Sequence, residues 1–425
     1  MQKNRNRILC TLLYSAMLVA CDLMEPVEST PEPSEYSYNY WLLQKTYLFE
    51  DELSNLPSKG DSVATLYKSL EDPYTRYIVP SKSEATQISI NTSIIPGDVG
   101  MEYATKPSEK YPLFVYRVYE KSPAGRAGIP RYAQIIRVNG VEISGPNAYP
   151  TYDSILTYSR QIRLEYVFEN DTSASNLEKE TIYAPTIFLD TMDNVIFVSI
   201  TEFKLTTVDQ TYGSLGELKT YLDSTQTYSG VRVLDLRNNP GGHVSQCTAM
   251  ADLFIQSGII STRSYRAIDS KGSSYHGKYN YTAKSGDAGE KGKFILFVNR
   301  GTASCGEIFT AAVHEGAQIP VMGKTTYGKG IGQTTWKTKV GGLAIITNMD
   351  FLTPKGTSYH KKGIVPDYPC EGDANIQCAL DIVGSNFKTS SLKKEAPLEE
   401  WVKNNPSFKP ITKKSPSLGG AILVD

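Results

Sequence analysis

The chain has 425 residues, 40% of them hydrophobic and 21% charged, with a formal net charge of -1. That length exceeds one ordinary hydrophobic core, so two or three folded units are expected. The near-neutral balance supplies no basic field and argues against nucleic acid as a partner.

Lys3, Arg5 and Arg7 open the chain with positive charge, and an apolar run follows from Ile8 to Val19. The run is too short to cross a bilayer and suits a signal peptide over residues 1–20. It closes on Leu18-Val19-Ala20-Cys21. This resembles the lipobox of bacterial lipoproteins, which implies acylation of Cys21, a lipid anchor in the membrane and a place in the bacterial cell envelope, periplasmic or at the outer membrane. An ordinary secretory signal with an incidental cysteine is the competing interpretation. Residues 21–35, rich in Pro, Glu, Ser and Thr, are expected to be a tether.

Residues 36–88 carry a helical pattern, with Leu42, Leu43, Tyr47 and Leu48, then Leu66 and Leu70. Pro73 should break it within Asp72-Pro73-Tyr74-Thr75-Arg76-Tyr77. Residues 89–184 are expected to be β-rich. Their short strands include Phe114 to Val118 and Ile135 to Val138, the second followed by an Asn139-Gly140 hairpin turn. Residues 185–386 change character. Val231 to Leu236 and Phe294 to Val298 are near-continuous apolar runs, as strands buried on both faces require. Each is followed by a glycine-bearing turn and a helical pattern, so an α/β unit with its chemistry at the strand-to-helix turns is expected. Residues 387–425 are a Lys/Ser/Pro-rich tail.

Of the six cysteines, Cys10 leaves with the signal. Cys370 and Cys378 flank a short polar loop and are candidates to pair in an oxidising compartment. Cys247 and Cys305 have no assigned partner. The four histidines, His243, His276, His314 and His360, are scattered and lack zinc spacing. Neither a metal nor a cofactor is expected.

Three turns could carry chemistry. In Gly301-Thr302-Ala303-Ser304-Cys305-Gly306-Glu307, Ser304 stands where a helix begins, beside free N–H groups and the positive end of the helix dipole. Ser304 with Glu307 is also a capping box, and that interpretation is favoured on this turn alone. Leu236-Arg237-Asn238-Asn239-Pro240-Gly241-Gly242 follows the other buried strand, and paired glycines there can expose N–H groups to a substrate. Tyr327-Gly328-Lys329-Gly330 holds one lysine between glycines, with Gln333 beyond it.

These segments resemble, in order and wording, the motifs of the C-terminal-processing (tail-specific) serine peptidases. The family's nucleophile turn is matched by Gly301 to Glu307 and its lysine segment by Thr326 to Gly330. Its lysine-orienting glutamine is matched by Gln333, and Leu236 to Gly242 is matched intact. Thr353 to Gly356 and Gly363 to Asp367 look like its closing strand motif, and Asp72 to Tyr77 like the segment before its PDZ domain. The resemblance implies an α/β core of the ClpP/crotonase-like kind and a PDZ-like domain over 89–184. It further implies Ser304 as nucleophile, Lys329 as base and Gln333 as its orienter. Gly241, Gly242 and Cys305 would form an oxyanion hole. The PDZ-like unit has Val99, Gly100 and Met101 where a peptide-binding, carboxylate-cradling loop should be, with Ser122 to Ile129 and Val138-Asn139-Gly140 as later landmarks. It departs from the family at Ala133-Gln134, where a Gly-Asp pair is usual.

The implied substrates are unstructured C-terminal regions of envelope proteins, cleaved through an acyl-enzyme. A free lysine has a pKa of about 10.4, so a base at neutral pH must be enclosed and its cation destabilised by roughly 3–5 kcal/mol. Cys305 as nucleophile and His243 as base are rivals within the site. A catalytically silent, PDZ-type peptide-binding lipoprotein is the alternative function.

Overall fold

The computed structural model describes residues 34–370, 372 and 374–385, with the backbone of residues 23–24. The expected signal peptide, Cys21, most of the tether and the tail over 387–425 lie outside the described residues.

The N-terminal part holds β1 (Leu23–Met24), α1 (Glu35–Thr46), α2 (Val63–Lys68), β2 (Arg76–Ile78) and α3 (Pro80–Asn91). Helix α1 is capped by Ser34, whose hydroxyl accepts the Ser37 N–H at 3.1 Å. It buries Tyr38, Leu42 and Leu43 against Trp336, Ala344 and Ile346. The helical pattern expected over 36–88 is interrupted by β2, which pairs antiparallel with Leu343 to Ile345. The cause is local. Pro73 cannot continue a helix, and the Asp72 carboxylate accepts both the Tyr74 N–H (3.0 Å) and the Thr75 hydroxyl (2.6 Å), which turns the chain. Helix α3 then starts at Pro80, a residue whose missing N–H costs nothing at a first helical position.

The second unit comprises β3 (Ile94–Asp98), β4 (Met101–Thr105), β5 (Leu113–Val118), α4 (Pro123–Arg126), β6 (Gln134–Val138), β7 (Val141–Glu142), α5 (Ala148–Tyr158), β8 (Gln161–Phe168), β9 (Asp171–Glu178) and β10 (Glu180–Tyr183). Its antiparallel sheet runs β4-β5-β6-β8-β9, with β7 on β6. Asn139 and Gly140 have φ of 49° and 80°, the positive pair that a tight hairpin between β6 and β7 demands. Strands β3 and β10 pair with each other as the chain enters and leaves. Val115, Ile135 and Leu164 from the sheet and Tyr152 and Leu156 from α5 share one core.

The third unit contains β11 (Ile187–Met192), β12 (Val195–Ile200), α6 (Gly213–Thr225), β13 (Val231–Asp235), α7 (Val244–Asp252), β14 (Gly258–Ile268), β15 (Ser274–Ala283), β16 (Lys293–Val298), α8 (Cys305–Ala317), β17 (Val321–Gly323), β18 (Ile331–Lys337), β19 (Leu343–Leu352), β20 (Tyr368–Pro369) and α9 (Ile376–Gly384). One sheet has the order β11-β12-β13-β16-β17-β20 and is parallel except for β11 against β12. Alternation along β16 explains its apolar run. Phe294, Leu296 and Val298 face the core under α7 and α8, whereas Ile295 and Phe297 face the one under α9. A second sheet, β1-β18-β19-β14-β15, receives β2 on β19 and so ties the N-terminal part to the third unit. The segment resembling a closing strand motif, 353–367, is mostly loop, with β20 directly after it.

Candidate active site

The parallel sheet brings two strand ends together. The turns after β13 and β16 are stitched to each other: Ala303 N–H donates to the Asn239 carbonyl (2.8 Å), and the Thr302 hydroxyl to the Leu236 carbonyl (2.8 Å). Tyr327 N–H donates to the Thr302 carbonyl (2.9 Å), which draws in the lysine turn as well. All three chemistry-bearing turns therefore meet at the C-terminal edge of the sheet, where parallel α/β sheets place their ligands.

Ser304 precedes α8 with φ 52° and ψ -118°. This conformation is sparsely populated for a residue with a Cβ, costs roughly 1–3 kcal/mol, and is a feature of sharp strand-to-helix elbows that push a side chain outward. The facing turn fits it closely. Gly241 has φ 108°, and a Cβ there would stand 2.8 Å from Ser304 Cβ and 3.0 Å from the Cys305 nitrogen. Only glycine lets the two turns approach in this way.

Glu307 is fully buried and its carboxylate joins the site. One oxygen accepts the Thr326 hydroxyl and the Gly328 N–H, both at 2.6 Å. The other accepts the Ser304 N–H at 3.0 Å and the Lys329 N–H at 2.7 Å. The serine and lysine main chains thus share one oxygen atom. Burial pushes the Glu307 carboxyl above its usual range, against the pull of these hydrogen bonds. The capping relation between Ser304 and Glu307 expected from the sequence is present, and the same carboxylate also organises the lysine turn.

Lys329 is 4% exposed. Its Nζ donates to Gln333 Oε1 at 3.1 Å and lies 4.2 Å from the centre of the Tyr74 ring. Gln333 Nε2 donates in turn to Thr347 Oγ1 (2.9 Å), and the Thr347 N–H to Thr75 Oγ1 (2.8 Å). The segment Asp72 to Thr75 therefore belongs to the site. The sequence marks it only as a stretch resembling the segment before a PDZ domain, and that match is the available signal. The Tyr74 hydroxyl donates to the Tyr327 hydroxyl at 3.1 Å. Gly328 has φ 91°, and a Cβ on Gly330 would crowd His360, so the two glycines let the lysine turn pass against residues 360–363.

The Gly241 N–H, expected among the oxyanion donors, donates to Asn239 Oδ1 at 2.8 Å. Gly242 pairs with Phe203 in an isolated parallel bridge. Cys305 is the first residue of α8, where an N–H has no intrahelical acceptor. Its sulfur forms a disulfide with Cys247 of α7 (Cα–Cα 5.7 Å), so no thiolate is available there for attack. Cys370 and Cys378 are also paired. The His243 ring meets Asn91 Oδ1 at 3.2 Å through Nε2 and Ser245 Oγ at 3.4 Å through Nδ1. Burial, with Lys204 nearby, lowers its pKa to about 4. Val99 and Gly100, between β3 and β4, and Met101, the first residue of β4, are buried in the second unit and do not join this cluster. Among the described residues no group of three or more His, Cys, Asp and Glu side chains could hold a metal ion, and no helix is long and apolar enough to cross a membrane.

Comparison with known proteins gives a consistent outcome. Residues 194–370 match the model of peptidase family S41. The carboxy-terminal processing protease CtpA of Bacillus subtilis (strain 168) is 31% identical over 329 residues, 76% of this chain and 65% of that protein. A probable CtpA-like serine protease of Staphylococcus aureus (strain bovine RF122 / ET3-1) is 28% identical over 338 residues, 77% of this chain and 62% of its own length. The chain thus spans slightly under two thirds of each of these curated relatives. Among solved structures, a putative S41 protease from Bacteroides fragilis NCTC 9343 superposes with a TM-score of 0.53 at 14% identity, over 80% of this chain and 92% of that one. That likeness is one of fold.

Proposed function

We propose that the chain is a serine endopeptidase acting through a Ser304–Lys329 dyad, in line with the match of residues 194–370 to peptidase family S41. One observation carries this: a single Glu307 oxygen holds the main chains of Ser304 and Lys329, while the Lys329 ammonium is enclosed against neutral Gln333. A structural lysine has no need of enclosure, whereas a base lysine does.

In the proposed reaction neutral Lys329 Nζ takes the Ser304 hydroxyl proton, and Oγ attacks the scissile carbonyl carbon. The Cys305 N–H, at the head of α8, receives the oxyanion. Lys329 returns its proton to the departing amine as the C–N bond breaks. Water, losing a proton to Lys329, then attacks the acyl carbon, and as the C–Oγ bond breaks Lys329 returns that proton to Ser304 Oγ. Gln333 orients the base, as the resemblance implies, and Tyr74 covers it. Peptides or proteins are the substrates, in line with a relative described as a carboxy-terminal processing protease. The second unit, PDZ-like in its motifs, would present an extended peptide along the free edge of β4. Acylation at Cys21 would hold the enzyme to a membrane of the cell envelope.

The test uses the chain from Asp22 onward beside its Ser304→Ala and Lys329→Ala variants, with an unfolded protein as substrate and mass spectrometry of the products. Cleavage by the parent alone, rising with pH as one base titrates, is expected. Cleavage surviving in Lys329→Ala would overturn the dyad. Peptide binding without cleavage by the parent would favour a silent binding lipoprotein.

A further inference from the structure

Tyr74 is held at each of its polar atoms. Its N–H donates to Asp72 Oδ1 at 3.0 Å, its carbonyl accepts Arg76 Nη1 at 3.1 Å, and its hydroxyl donates to the Tyr327 hydroxyl at 3.1 Å. The next residue is fixed too, because Thr75 Oγ1 accepts the Thr347 N–H of β19 at 2.8 Å. The ring so anchored lies over the lysine turn, with Lys329 Nζ 4.2 Å from its centre. Lys329 Nζ thus meets two uncharged groups that favour a cation, the π face of Tyr74 and Gln333 Oε1 at 3.1 Å. Burial acts the other way and favours the neutral amine. A base needs both influences: it must be neutral to accept a proton, and it must then hold the charge it has gained.

Other ionisable groups stand around the lysine. Asp72 belongs to the same segment as Tyr74 and bonds its N–H. Glu307 of α8 accepts the Lys329 N–H at 2.7 Å, and burial pushes its carboxyl up. Tyr327 lies two residues before the lysine and bonds Tyr74. His360 packs against Gly330, and burial lowers its pKa. The Tyr74 phenol itself is pushed well above its usual range, by burial first and then by the bond to Tyr327, so the ring stays uncharged where a lysine base titrates. A change confined to the Tyr74 side chain leaves the four other groups in the chain and removes only the ring face.

We propose that Tyr74 is a positioning residue for the base, whose ring face stabilises the Lys329 ammonium and so sets both the pH at which the dyad switches on and its rate once on. The inference rests on the Ser304–Lys329 reading and adds the residue that tunes it. Its consequence for the pH profile is specific. Without the ring the ammonium is less stable, so the free enzyme loses its proton at lower pH. On the alkaline plateau Lys329 starts neutral and becomes charged as it takes the Ser304 proton, so the same loss slows the reaction. On the acidic limb both the starting enzyme and the transition state carry the ammonium, and the two losses cancel. Parent and variant should therefore converge in acid and separate in alkali, whereas structural damage lowers the curve at every pH.

The experiment measures kcat/KM against pH, whose limbs report the free enzyme. It uses the chain from Asp22 onward and a labelled peptide with no side chain that titrates between about pH 6 and 10. Tyr74→Leu should move the midpoint of the rising limb down by about 0.5–1.5 units and lower the plateau about three- to thirtyfold, with the curves meeting on the acidic side. Tyr74→Phe restores a ring and should return the midpoint to that of the parent. If Tyr74→Leu fails to fold, Tyr74→Met, also without a ring, takes its place. A midpoint that stays or rises in the ringless variant, or one that Tyr74→Phe leaves displaced, overturns the inference alone. Cleavage that survives in Lys329→Ala, or a parent that does not cleave, overturns the dyad and this inference with it.

Discussion

Replacing Glu307 with Gln isolates what one carboxylate does for the site. The four hydrogen bonds it accepts run two to each oxygen. An amide keeps one oxygen and turns the other into a donor. The less costly orientation aims the new NH2 at Thr326 Oγ1, which can rotate its hydrogen away, but it leaves the Gly328 N–H facing a donor. One lost charge-assisted bond costs about 1.5–3 kcal/mol, and the two bonds kept by the remaining oxygen weaken to neutral strength. Relief from burying a charge offsets part of this, which leaves a net destabilisation of about 2–4 kcal/mol. Turnover should fall further, by about 100-fold or more, because the turns carrying Ser304 and Lys329 lose the atom that sets their separation. Urea unfolding of Glu307→Gln against the parent measures the first quantity, and hydrolysis of an unfolded protein under conditions where both are folded measures the second. Stability within about 0.5 kcal/mol and activity within about threefold of the parent would refute the assignment of Glu307 as the organiser of the site.

Two further outcomes are expected. Reduction of the unfolded chain from Asp22 onward should add about 4 Da, because Cys247–Cys305 and Cys370–Cys378 are both closed; a gain of about 2 Da would leave one pair open. By loop length the bridges contribute about 4 and about 2.5 kcal/mol respectively, so reduction should lower the unfolding midpoint more in a chain that retains only Cys247 and Cys305 than in one that retains only Cys370 and Cys378. His243, held near pKa 4 by burial and then by Lys204, is neutral when folded, whereas the unfolded chain protonates it below about 6.5. Its contribution to stability is therefore complete above about pH 6.5 and is lost as pH falls towards 4, by up to about 3 kcal/mol. His243→Gln should flatten that part of the stability-against-pH curve, and an unchanged slope would assign it to other groups.

The parts of this protein that sequence alone determined are those whose signal is local. Val231 to Leu236 and Phe294 to Val298 announce strands covered on both faces, because each successive side chain must enter one apolar layer or the other. Asn139-Gly140 announces its turn because few residue pairs accept two positive φ values. Ser304, Lys329 and Gln333 are legible as an ordered set of motifs, although the Ser304 turn taken alone favours a helix cap.

Tertiary structure decided the rest, because hydrogen-bond partners distant in the chain leave no local pattern. Arg76 to Ile78 became a strand within a stretch of helical pattern because β19 offered an open edge. Tyr74 came to lie over Lys329 through that same pairing, and Cys247 met Cys305 because α7 packs on α8. The Gly241 N–H meets Asn239 Oδ1 because Asn239, two residues earlier, folds back onto it. Glu307 is the clearest case. Its spacing from Ser304 declares a cap, and only the fold brings the turn of Thr326, Gly328 and Lys329 onto the same two oxygens. A buried carboxylate must find several donors, and the sequence cannot say from which segment they will come.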